Sequence, residues 1–197
     1  MKDILAIILA AGESKRMDSP KMLLPYKDKT IIETVIENII SSKVDKAMVV
    51  LGATGNKILE RIKELPVTHC FNDNYKEGML SSVKCGFSNL PDKYEAAIVF
   101  PGDYPGIGPD VINMLIESFR KTKKKIIIPL FGGKRGHPIL ISYVYRGKVM
   151  DLKPEEGLRA LPVKFPDDVL EVNVDDPAVL RDVDTLEDYI NELNQIT

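Results

Sequence analysis

Six short apolar, β-branched runs recur along this chain, at residues 3–10, 46–51, 67–71, 96–100, 125–130 and 138–142, with longer segments of helical periodicity between several of them. Strands that alternate with helices bury their apolar surfaces in a mainly parallel sheet flanked by helices, so an α/β domain is predicted. The first run, Asp-Ile-Leu-Ala-Ile-Ile-Leu-Ala over residues 3–10, is almost unbroken apolar sequence, as expected of a strand buried on both faces. The loop that follows it should open at the carboxyl edge of the sheet, where open α/β sheets bind ligands.

Helix signals fall between the runs. Thr30 and Glu33 match a capping box ahead of apolar positions 31, 32, 35, 36, 39 and 40, which share one helical stripe. A second helix is predicted over 56–65, ending before Pro66, and a third over 79–89, where Val83 and Phe87 share a face. Pro109 suits a first helical position ahead of Val111, Ile112, Leu115, Ile116 and Phe119, and Thr185 suits the cap of a final helix bearing Leu186, Tyr189, Ile190 and Leu193.

With 197 residues, 44% of them hydrophobic, the chain has apolar material for one domain, and neither a repeat nor a low-complexity linker divides it. A formal net charge of −2 and a pI near 5.8 argue against nucleic acid as a partner. No apolar segment reaches the roughly 18 residues of a membrane span, and the start lacks a small-residue cleavage site, so a cytoplasmic protein is expected. Cys70 and Cys85 lack the paired spacings of a zinc site and read as buried thiols in a reducing compartment.

The stretch Leu9-Ala10-Ala11-Gly12-Glu13-Ser14-Lys15-Arg16-Met17, with Lys21 four residues later, joins the first strand to a loop carrying three cations. Gly12 permits backbone angles and close approach denied to other residues, and the amides after it can point at phosphate oxygens. Arg16 offers a bidentate grip and Lys21 a point charge. An ordinary surface turn with solvated cations remains the alternative. Neither a G-x-x-x-x-G-K-[ST] nor a G-x-G-x-x-G loop occurs, which removes the common motif-level routes to ATPase or dinucleotide binding.

Asp103 follows the run 96–100 in a Gly/Pro turn, where a carboxylate either holds Mg²⁺ or stabilises its own turn. Asp182-Val183-Asp184-Thr185 supplies a possible second carboxylate, although Asp184 also suits a helix start. Lys134-Arg135-Gly136-His137-Pro138 opens another strand and offers His137 to an acceptor or to the interior, whereas His69 lies within an apparent core strand and reads as structural. Four lysines between Lys121 and Lys125 read as a helix end and a solvated strand start.

Together these motifs resemble the molybdenum cofactor cytidylyltransferases, within the nucleotidyltransferases that share a Rossmann-like, glycosyltransferase-A type fold. The resemblance rests on Leu9-Ala10-Ala11-Gly12-x-Ser14-x-Arg16-Met17 with Lys21, on Glu77 to Val83, on Pro101-Gly102-Asp103-Tyr104-Pro105, on Arg135-Gly136-His137-Pro138 and on Val183 to Asp188. It implies that Gly12, Ser14, Arg16 and Lys21 bind the triphosphate, that Ala10, Ala11 and Ser82 face the base, and that Asp103 and Asp184 hold Mg²⁺. Gly136, His137 and Pro138 would face the pterin acceptor, so that the N-terminal part of the single domain, residues 1–197, binds nucleotide and the C-terminal part the acceptor.

The implied reaction is attack by the terminal phosphate of molybdopterin on the α-phosphate of CTP, giving molybdopterin cytosine dinucleotide and pyrophosphate, with Arg16, Lys21 and Asp103 as its main catalytic residues. A recipient molybdoenzyme would be a further partner. Guanine-using relatives carry a second glycine where Ala11 stands, which points to CTP. The alternatives are a guanylyltransferase on the same cofactor, a cytidylyltransferase on a sugar phosphate or phosphocholine-like acceptor, and a noncatalytic cofactor carrier. The chain departs from the family pattern at Asp18, Leu80 and Leu186, where glycine, a small or polar residue and proline are common.

Overall fold

Every residue of β1, Ile4–Ala10, is buried, because β1 runs inside the sheet between parallel neighbours. The structure is a computed structural model that describes residues 3–195 apart from Lys15 and Asp18, so the reading of Asp18 lies outside the described residues. After β1 come a small antiparallel pair, β2 (Pro25–Tyr26) and β3 (Lys29–Thr30), then α1 (Ile31–Ile40), β4 (Lys46–Leu51), α2 (Gly55–Ile62) and β5 (Thr68–Phe71). The chain continues through α3 (Met79–Asn89), β6 (Ala96–Pro101), α4 (Pro109–Lys121), β7 (Ile126–Phe131), β8 (Lys134–Arg135) and β9 (Ile139–Ser142). It finishes with α5 (Arg146–Met150), α6 (Ala160–Lys164), β10 (Val169–Asn173) and α7 (Leu186–Asn194).

The main sheet has the order β10-β7-β9-β6-β1-β4-β5, with β8 paired to β7. β1 pairs in parallel with β4 and β6, β5 with β4, and β10 with β7, while β9 runs antiparallel between β6 and β7. The prediction of a mainly parallel sheet flanked by helices holds. The antiparallel β9 has a consequence for the site: its first residue, Ile139, pairs with Val99 near the end of β6, so the turn before β9 reaches the same edge as the loops after β1 and β6.

Alternation along β1 divides the interior. Ile4, Ala6, Ile8 and Ala10 face a core layer with α1, α2 and α4, whereas Leu5, Ile7, Leu9 and Ala11 face a second layer with α3 and α5. Each fully buried Ile or Leu side chain contributes about 1.5–3 kcal/mol of transfer free energy.

Two helix starts follow the local chemistry read from the sequence. Thr30 and Glu33 form the capping box of α1, and Thr185 with Asp188 forms one on α7, which begins at Leu186 without proline. Leu80, the other departure from the family pattern, is buried in the second core layer. The helix predicted over 56–65 stops at Ile62, after which Leu65 turns back onto the Ile62 carbonyl at 2.9 Å.

The strand 67–71 forms as β5, but at the sheet edge rather than in the core. His69 is therefore exposed, its ring edge-on to Phe71 at 5.9 Å, because no strand among the described residues covers the outer side of β5. For the same reason Cys70 is only half-buried, as is Cys85, which corrects the expectation of buried thiols. The sequence gives no sign of β10, whose Val-Leu-Glu-Val-Asn run is short and has two polar residues in five. No helix among the described residues is long and apolar enough to cross a membrane.

Candidate functional site

Three loops converge at the carboxyl edges of β1 and β6. The register sets Leu9 beside Pro101, and the Gly102 N–H donates to the Leu9 carbonyl at 2.9 Å. A Cβ at Gly102 would lie 2.9 Å from that carbonyl and 3.2 Å from Met22, so glycine is what lets the chain turn here and present Asp103. The Asp103 carbonyl in turn accepts from the Val183 N–H at 2.9 Å, which brings Asp182 and Asp184 beside Asp103.

Oxygen atoms of Asp103, Asp182 and Asp184 lie within 4.8 Å of one another. The Lys21 ammonium donates to Asp103 Oδ2 at 2.6 Å and Asp184 Oδ1 at 2.8 Å, with 9% of its side chain exposed. Burial by itself would lower the pKa of Lys21, but the two carboxylates outweigh it and leave the group above its ordinary value and charged. Arg16, itself largely exposed, reaches Asp184 Oδ2 at 2.6 Å. Burial, followed by the neighbouring charges of Asp103 and Asp184, raises the Asp182 carboxyl. Among the described residues three carboxylates face two cations, which leaves the cluster short of positive charge, and an all-oxygen donor set of this kind suits a hard divalent cation.

A cavity of about 460 Å³ opens over this cluster. It is lined from the first loop by Ala11, Gly12, Ser14 and Arg16, from α3 by Met79 and Ser82, and from below by Lys21 and the three aspartates. Gly12 is exposed, and a Cβ there would meet nothing within 4 Å, so its bare backbone faces open space. The left-handed conformation expected near Gly12 belongs to Ser14, at φ 53°, whose Oγ accepts the Lys21 N–H at 3.1 Å. Ser14 thus fixes the start of the turn that carries Lys21. Ser82 is buried and held by Asn72, whose Nδ2 donates to its Oγ at 3.0 Å.

Ala10 and Ala11 differ. Ala11 lines the cavity, while the Ala10 side chain is buried in the opposite core layer, as alternation along β1 requires. The Ala11 methyl sits where Gly52 leaves room for it: a Cβ on Gly52 would lie 2.7 Å from that of Ala11.

A second cavity of about 320 Å³ shares the rim residues Leu9, Met79 and Pro101 with the first. Gly136 and His137 line it, together with Arg135, Arg159 and apolar side chains that include Val99, Ile128 and Pro162. A Cβ on Gly136 would lie 2.5 Å from the Val179 carbonyl, which also accepts the His137 N–H at 2.9 Å. Burial depresses the His137 pKa, so its ring is held neutral; it packs edge-on to Tyr104 at 5.0 Å, and its buried Nδ1 has no hydrogen-bond partner among the described residues. Pro138 is buried and lies outside both linings.

The structure thus brings together Ala11, Gly12, Ser14, Arg16, Lys21, Ser82, Asp103 and Asp184 at one cavity, and Gly136 with His137 at its neighbour. Asp182, Met79 and Arg135 stand in the motifs quoted from the sequence but were given no role there, and Arg159 was not noted. For Asp182 a signal existed, since two acids two positions apart in an extended segment lie on one side of it.

The MobA-like NTP transferase domain matches residues 6–167 of the chain. A molybdenum cofactor cytidylyltransferase of Escherichia coli (strain K12) is 30% identical over 100% of this chain and 99% of its own length. A probable molybdenum cofactor guanylyltransferase of Natranaerobius thermophilus is 32% identical over 66% of this chain and 62% of its own. In architecture the chain resembles the crystal structure of Rv0371c from Mycobacterium tuberculosis H37Rv, with a TM-score of 0.88, 98% of each chain covered and 23% identity.

Proposed function

This chain belongs to the MobA-like NTP transferase family, and from that premise we propose that it transfers CMP from CTP to molybdopterin carrying molybdenum, releasing pyrophosphate and molybdopterin cytosine dinucleotide. The observation that carries this reading is the buried Lys21 ammonium held between Asp103 and Asp184 at the floor of a cavity whose wall is the glycine-bearing first loop.

In this reading the triphosphate lies over Gly12, Arg16 and Lys21, and the base sits towards Ala11 and Ser82. The terminal phosphate of the acceptor, held in the adjoining cavity by Gly136, His137 and the Arg135 and Arg159 guanidinium groups, attacks the α-phosphorus. The bond to pyrophosphate breaks as the new one forms, so no protein nucleophile is needed. Positioning and charge neutralisation supply the rate. Lys21 stays charged through the step, and its carboxylate partners fix its ammonium before the charge on the departing pyrophosphate develops.

Asp103 and Asp184, with Asp182 beside them, are the residues that would hold Mg²⁺; their oxygen-only set and shortage of positive charge fit that ion. When bound, the ion supplies further neutralisation and orientation of the phosphates. Full-length similarity to a cytidylyltransferase and the methyl of Ala11 at the cavity wall support cytosine over guanine. The test mixes protein, Mg²⁺, molybdenum cofactor and CTP and follows pyrophosphate and dinucleotide. Product with CTP is expected, and its absence with every nucleotide rejects the reading.

A further inference from the structure

Cys70 and Cys85 take no part in the chemistry above, yet their sulfurs are neighbours. Cys70 lies on edge strand β5 and Cys85 on α3, with their Sγ atoms 3.6 Å apart and both thiols free and half-buried. The Cys85 S–H donates to the Phe71 carbonyl at 3.5 Å. A disulfide needs the sulfurs at about 2.0 Å, so closure asks for an approach of about 1.5 Å. An edge strand bonded on one side only can share that movement with the helix. The segment between the two cysteines carries Tyr75, Met79 and Ser82, which line the larger cavity, and Asn72, whose Nδ2 donates to Ser81 at 2.8 Å and to Ser82 at 3.0 Å.

We propose that Cys70 and Cys85 are a modification site, a dithiol that a small-molecule disulfide such as glutathione disulfide converts reversibly into a Cys70–Cys85 disulfide, closing a ring that carries one wall of the cavity. Burial and the neighbouring Cys85 push the Cys70 thiol up, which disfavours Cys70 as the first attacker. Cys85 gives its proton to solvent, and its thiolate attacks one glutathione sulfur, breaking that S–S bond and releasing one glutathione. Cys70 then yields its proton, attacks the Cys85 sulfur of the mixed disulfide and displaces the second glutathione. The two protein thiols are oxidised, glutathione disulfide is reduced to two thiols, and the protons end on the released glutathiones. Adjacency of the sulfurs makes the second step intramolecular and favours the ring over a lasting adduct.

The ring shifts the Ser82 wall, and its effect on nucleotide rests on the function proposed above. The experiment treats the whole chain with glutathione disulfide, then measures intact mass, alkylatable thiols, melting temperature and CTP affinity. The expected result is loss of two hydrogens per chain, protection of both cysteines, full reversal by dithiothreitol and a melting temperature raised by about 5–10 °C, as a ring of this size should give. Cys70→Ser should instead retain one glutathione on Cys85, and Cys85→Ser should stay unmodified. Wild-type protein that keeps glutathione, or whose cysteines both remain alkylatable, overturns the site. CTP affinity should fall about fivefold on oxidation, or about 1 kcal/mol; equal affinity in both forms overturns the link to the cavity. Absence of CTP binding in either form, with the ring formed, rejects the proposed function and leaves the disulfide standing.

Discussion

Replacing Lys21 with Met keeps an aliphatic stem in its buried slot and removes only the charge between Asp103 and Asp184. Breaking a buried ion pair from one side costs about 3–5 kcal/mol, because the remaining charge is stranded. Here the Asp103 and Asp184 side chains keep 18% and 26% of their exposure, so water screens part of the loss and about 2–3 kcal/mol is expected. For a domain of this size that lowers the melting temperature by about 4–12 °C. The pKa of Lys21 is raised above 10.5, so its stabilisation is fully present below that value and fades only as pH rises through the folded value. The gap between wild type and variant should therefore stay constant between about pH 7 and about pH 9. Loss of one preorganised cation facing developing charge should separately lower turnover by about 10²–10³, or about 2.7–4 kcal/mol. Single-turnover pyrophosphate release, run well below the melting temperature of the variant, measures this. A folded Lys21→Met protein within a few-fold of wild-type turnover would refute the role assigned to Lys21.

Asp182→Asn should raise the melting temperature by about 2–4 °C at neutral pH while lowering activity. The folded pKa of Asp182 lies above its ordinary 3.8, so its ionisation costs stability as pH rises, and the gain should vanish as pH falls towards 3.8 in thermal melts. Gly12→Val fills space that no atom of the described residues occupies, so calorimetry should find nucleotide binding weaker by at least about tenfold with the melting temperature unchanged. His137, whose pKa burial depresses, contributes stability above its ordinary 6.5 that is lost as pH falls through the window below it; in pH-dependent melts, His137→Asn should flatten that acid-side loss.

What could be read from the sequence is what depends on local chemistry. Both capping boxes, Thr30–Glu33 and Thr185–Asp188, lie within single turns, and α4 begins at Pro109, as its proline implied. The buried character of β1 followed from its apolar run, and with it the placement of the first loop at the sheet edge. Position within the sheet was not legible. An apolar run such as 67–71 reads alike in the centre and at the edge, and only the strand order exposes His69 and half-uncovers Cys70. Side-chain facing needed register as well: Ala10 and Ala11 are adjacent in sequence and belong to opposite layers. The convergence of Asp103 with Asp182 and Asp184 rests on contacts between distant residues, the Val183 N–H to Asp103 carbonyl bond across 80 positions and the Lys21 ammonium shared by Asp103 and Asp184. No local pattern encodes those contacts.

The most direct measurement offers the protein equal concentrations of CTP and GTP with Mg²⁺ and molybdenum cofactor, and weighs the two dinucleotide products. Exclusion by the Ala11 methyl is worth about 1–3 kcal/mol, so the cytosine dinucleotide should exceed the guanine one by about 10-fold to 200-fold. An equal mixture, an excess of the guanine product, or no dinucleotide at all would contradict the account.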